Sequence, residues 1–73
     1  MTQEQLELLG TYKGLVLTLE TAKEALKEHF SSELDEVLKY AKAVVTELSR
    51  EELNPILLGV ALTELELASK KLE

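Results

Sequence analysis

Glu20, Glu24 and Glu28 stand four residues apart, with Lys23 and Lys27 between them. On a helix that spacing stacks three carboxylates along one side. Helical bundles hold divalent cations in this way when facing helices add further carboxylates. Without such a facing set, the same ladder is a solvated, ion-paired surface, and that is how we read it. His29 is the only histidine and cysteine is absent, so no imidazole or thiolate set within one chain can hold zinc. Near a helix C-terminus, an imidazolium has a plain structural use against the helix dipole. No serine is placed with the histidine for nucleophilic chemistry. The three glycines fall inside helical patterns rather than after a strand, which excludes a phosphate-cradling loop. No acid and base share an apolar pocket, as general acid–base catalysis needs. The sequence predicts no enzyme, no metal and no cofactor.

Ligand binding has sparser material. Tyr12 and Tyr40 can stack on a flat ring, and Lys13, Lys27, Lys39 and Lys42 can meet phosphate. Tyr12 lies on the main apolar stripe of its helix and is expected in the core, whereas Tyr40 sits at a flank and is more available. Eight basic against fourteen acidic side chains leave a net charge of −6. Phosphate-gripping proteins carry a basic stripe, and here every lysine sits near glutamates, so direct nucleic-acid binding is not expected. The opening "MTQEQLELLG" has no basic n-region or long apolar run, which predicts no secretory signal. The longest apolar stretch, Ile56 to Leu62, is far too short to span a bilayer. We expect a soluble cytoplasmic protein with no membrane partner, in a bacterial or virus-infected cytosol as much as in any other.

The elements that must position these residues are helices. Leu8, Tyr12, Leu15, Leu19, Ala22, Leu26 and Phe30 follow 4-3-4-3-4-4 spacing, one stripe of a helix from near Gln3 to Phe30. "FSSELDE" then stops one helix and starts another, with Ser32 as N-cap and Asp35 at the capping-box position. The second helix carries Leu34, Val37, Leu38, Ala41, Val44, Val45 and Leu48 on a single stripe, with Asp35 and Lys39 paired at i,i+4. In "LSREELNP", Ser49 and Glu52 match a further capping box, so a turn of helix is expected to begin at Arg50. Asn54 and Pro55 read as N-cap and first residue of a third helix reaching Leu72. The prediction is one all-α domain over residues 1–73, a long first helix and two shorter ones in an up-down-up arrangement.

Two of the three helices carry apolar residues on a second side. The third has its main stripe at Leu58, Ala61, Leu62, Leu65, Ala68 and Leu72, and opposite it Ile56, Val60, Thr63 and Leu67. Behind the main stripe of the first lie Leu6, Gly10, Gly14, Leu17 and Thr21. A mid-helix glycine costs ~1 kcal/mol relative to alanine. Close approach of another helix across Gly10 and Gly14 would compensate, and a bend at "GTYKG" is the competing account. A chain of 73 residues has a small core worth only ~3–5 kcal/mol net, and with disulfides and metals excluded the remaining common support is another subunit. We expect a homo-oligomer joined through these second faces.

At "VALTELELA" the residues Ala61-Leu62-Thr63, Leu65-Glu66 and Ala68 give an "ALTxLExA" pattern. It resembles the C-terminal helix of a family of small helical-hairpin phage proteins that counter CBASS and Thoeris immunity. The resemblance covers about nine residues; Leu58 stands where that family has an arginine, and Ser69 and Lys70 where it has an aromatic. It implies an oligomeric sponge that sequesters a cyclic nucleotide messenger without cleaving it, and it carries over Thr63 and Glu66 as polar positions. With Tyr12, Lys13 and Tyr40 these complete the candidate ligand-binding residues. The alternative is an acidic helical module that binds or inhibits a protein target through its second apolar faces.

Overall fold

The computed structural model describes residues 2–26 and 31–72, which form three α-helices and no strand: α1 (Gln3–Ala25), α2 (Ser31–Leu48) and α3 (Pro55–Lys70). Thr2, in extended geometry, opens α1 by accepting a hydrogen bond from the Gln5 backbone N–H at 3.1 Å. The helix runs unbroken through Gly10 and Gly14 and closes at Ala25, where the Leu26 N–H donates to the Ala22 carbonyl. The continuation of the helix from Lys27 to Phe30, expected from the stripe, lies outside the described residues. α3 begins as the sequence predicts. Asn54 is extended and its Oδ1 accepts from the N–H groups of Ile56 and Leu57 at 3.0 and 3.2 Å, with Pro55 filling the first helical position, where a missing N–H costs nothing.

Three local expectations give way. α2 already includes Ser31, so Ser32 stands inside its first turn rather than at the cap. Asp35 pairs with Lys23 of α1 instead of with Lys39 or a capping box, while Lys39 lies over the Tyr40 ring. No helical turn begins at Arg50. The Ser49 hydroxyl turns back to the Val45 carbonyl at 2.7 Å, and residues 50–52 are bends. That bond orients the Ser49 side chain back along α2, away from the N–H groups it would have to accept from as a cap.

α2 is the middle of the fold. Leu34, Val37, Leu38, Ala41, Val44 and Leu48 are all buried, with Leu9 and Leu19 of α1 and Ala61, Leu65 and Ala68 of α3 completing the core. α1 and α3 each pack on α2, but no Cα of α1 comes within 8 Å of one in α3. Each outer helix therefore keeps a side facing away from the core built on α2.

The stripe of α1 matches the one expected at Tyr12, Leu15 and Leu19, which lie in or against the core, and departs from it at Leu8 and Leu26. Leu8 and Leu26 are 46% and 44% exposed, while Leu9 is buried and Val16 packs against the core. The cause is Gln5, only 5% exposed, whose Nε2 donates to the carbonyls of Leu48 at 2.9 Å and Arg50 at 2.8 Å. The last carbonyls of a helix have no intrahelical donor. Supplying one from α1 turns Gln5, Leu9, Tyr12, Val16 and Leu19 toward α2. At the other end, Lys71 Nζ reaches both carboxylate oxygens of Glu36 at 3.1 Å, tying the end of α3 to the start of α2.

Candidate functional site

The second side of α1 is open. Leu6, Gly10, Gly14, Leu17 and Thr21 are all exposed, Leu17 to 67%. So is the second side of α3, where Ile56 is 77% exposed and Val60, Thr63 and Leu67 lie along the same face. α2 is strongly one-sided in its apolar character; α1 and α3 are only weakly so, because both have apolar residues on opposite sides.

These faces are more apolar than their composition suggests. The Thr21 and Thr63 hydroxyls donate to the carbonyls of Leu17 and Gly59, at 3.0 and 2.8 Å, so each is satisfied within its own helix. Small residues also leave shallow hollows. One is lined by Leu17, Glu20, Thr21, Glu24 and Ala25 on α1, and another by Pro55, Ile56, Gly59, Val60 and Thr63 on α3. A Cβ built at Gly10, Gly14 or Gly59 would meet nothing within 4 Å. No neighbour in its own chain requires any of the three glycines, and each sits mid-helix at a cost of ~1 kcal/mol.

The candidate ligand residues are distributed over all three helices. Tyr12 is half-buried against the core and Lys13 is exposed beside it on α1. Tyr40 is half-buried on α2, with Lys39 Nζ 5.4 Å from its ring centroid, a cation–π contact. Thr63 and Glu66 are exposed on α3, and Glu66 lies 3.7 Å from Lys70. Of these five, only Thr63 lines one of the hollows. Among the described residues, no three histidine, aspartate or glutamate side chains gather to hold a metal ion; Glu28 of the carboxylate ladder lies outside them. Among the described residues, no helix is long and apolar enough to cross a membrane.

Like Leu9 and Val16, Gln5 is passed over by the apolar periodicity. Its signal is the pattern Thr2-x-x-Gln5 before an apolar run, which marks a capping box. The threonine behaves as that pattern expects, but the amide spans to α2 instead of returning to its own cap. Fold and faces together define a small all-α chain with two apolar outer sides. No family model, curated protein or solved structure matches the chain.

Proposed function

We propose that the chain is a non-enzymatic helical binding protein that works as a homo-oligomer, its helices arranged up-down-up in a layer with α2 in the middle. Three links support that arrangement: Gln5 at the start of α1 bonds the end of α2, Lys23 near the end of α1 pairs with Asp35 near the start of α2, and Lys71 after α3 pairs with Glu36. The observation that carries the oligomer is the pair of exposed apolar faces on α1 and α3, lined with glycines that the chain's own packing does not use. Burying one large aliphatic side chain is worth ~1.5–3 kcal/mol. Ile56, Val60, Leu67, Leu6 and Leu17 left in water forgo a sum comparable to the whole net stability of a domain this small.

The cargo follows from the resemblance at "VALTELELA": a cyclic nucleotide messenger, held in a phage-infected cell and not cleaved. Tyr12, Lys13, Tyr40, Thr63 and Glu66 come from three helices, so neighbouring copies have to bring them together. Thermal melting with cyclic dinucleotides, cyclic trinucleotides and ADP-ribose derivatives tests this. A ligand at a hundred times its dissociation constant stabilises the native state by ~2.7 kcal/mol. A multimer whose melting moves with none of them would exclude the messenger and direct the search to a protein target.

A further inference from the structure

The two outer faces have the same spacing. On α3, Ile56, Val60, Thr63 and Leu67 continue by one more step to Lys70; on α1, Gly10, Gly14, Leu17 and Thr21 continue to Glu24. Both runs read 4-3-4-3, the period of a and d positions in a coiled coil, and in a parallel pair a faces a and d faces d. Laid side by side in parallel, the two runs are complementary at every level. Ile56 meets Gly10, Val60 meets Gly14 and Leu67 meets Thr21, a large side chain on a small one each time. Thr63 meets Leu17, with the sizes reversed. Lys70 meets Glu24, opposite charges at the end of the seam. All ten residues are exposed in the single chain, and glycine is the residue that admits the closest approach of a neighbour.

We propose that copies of this chain join head to tail through this seam, α3 of one copy lying parallel to α1 of the next. The inference rests on the oligomeric reading above and adds its geometry. In the up-down-up layer proposed above, α1 and α3 both run opposite to α2, so copies related by rotation about an axis along the helices present these two edges in parallel, as the seam requires. Such heterologous contacts close into a ring, or continue as a filament if the rotation does not close. A two-fold pairing of like faces is the poorer fit: α1 on α1 sets glycine near glycine with little to fill the gap, and α3 on α3 brings ridge against ridge. Lys70 is free to change partner, since its pair with Glu66 is long and exposed on both sides and worth little.

The test is complementation between blocked edges, read as absolute mass by light scattering, with far-UV circular dichroism to verify folding. Gly14→Leu blocks only the α1 edge and Val60→Glu only the α3 edge. In a head-to-tail assembly each variant alone is monomeric, and an equimolar mixture gives a one-to-one dimer and nothing larger. In a like-face assembly one variant stays multimeric and the mixture adds no new species, which would overturn the proposal. Charge reversal decides if either variant fails to fold. Glu24→Lys or Lys70→Glu alone weakens the interface roughly 2–5-fold, and the double variant restores it; absence of rescue contradicts the seam. A wild-type chain that is itself monomeric removes the oligomeric reading as well, whereas a wild-type multimer that fails both tests removes the seam alone.

Discussion

Replacing Gln5 with methionine keeps the length and burial of the side chain but removes the amide that closes the end of α2. Two hydrogen bonds are lost, to Leu48 and Arg50, each worth ~0.5–1.5 kcal/mol net. The Leu48 carbonyl is left in a buried position, at a desolvation cost of ~1–3 kcal/mol if nothing replaces the donor. Allowing for water reaching the more open Arg50 carbonyl, we expect a loss of ~2–3 kcal/mol, about half of what a domain this size holds. Melting should fall by roughly 10–20 °C. The assay is urea unfolding followed by far-UV circular dichroism, in the Val60→Glu background so that assembly does not contribute. Gln5→Glu sharpens the test. Its carboxylate would face two carbonyl oxygens at the negative end of a helix, which favours the neutral acid in the folded state. The folded pKa then lies above the unfolded one, so the variant is least stable at neutral pH and recovers as pH falls through that range. A change below ~0.5 kcal/mol for Gln5→Met, or no recovery of Gln5→Glu in acid, would refute the role assigned to this amide.

Three further outcomes follow from the same packing. Asn54→Ala removes the acceptor for two N–H groups and should cost ~1 kcal/mol by urea unfolding, whereas Asn54→Gly should cost only a few tenths. Leu48→Ala opens a cavity at a side chain 1% exposed; at ~2–5 kcal/mol it should leave the chain largely unfolded at 25 °C by circular dichroism. Gly14→Ala places a methyl where nothing lies within 4 Å. It should stabilise the isolated Val60→Glu chain by ~0.5–1 kcal/mol, yet weaken assembly of the otherwise unaltered protein by equilibrium sedimentation.

Most of the helical architecture was legible because α2 and α3 have clear signals. Asn54-Pro55 admits one arrangement of cap and first residue, and the six buried positions of α2 all fall on its predicted stripe. On α1 the expected stripe holds at Tyr12, Leu15 and Leu19, which pack in or on the core, and fails at Leu8 and Leu26. The helix is apolar on both sides, so periodicity alone ranked Leu8 and Leu26 above Leu9 and Val16, and only the tertiary bonds of Gln5 choose between the two stripes. Serine-based capping signals failed at Ser32 and Ser49 for a related reason: a hydroxyl has several local partners, and the sequence does not say which is used. The exposed faces were visible as surplus apolar residues at helical spacing. Their fit to one another is not legible in either stripe alone, because Glu24 and Lys70 align only when the two stripes are laid side by side.

The most direct test of the account is the absolute mass of the unaltered protein in solution, by light scattering on a sizing column over a range of loading concentrations. We expect a defined multiple of the 8.2 kDa chain, or a growing filament, either reduced to the single chain by Val60→Glu with helicity intact. A species of 8.2 kDa at every concentration would contradict it, for the two apolar faces would then be tolerated in water and need no second copy.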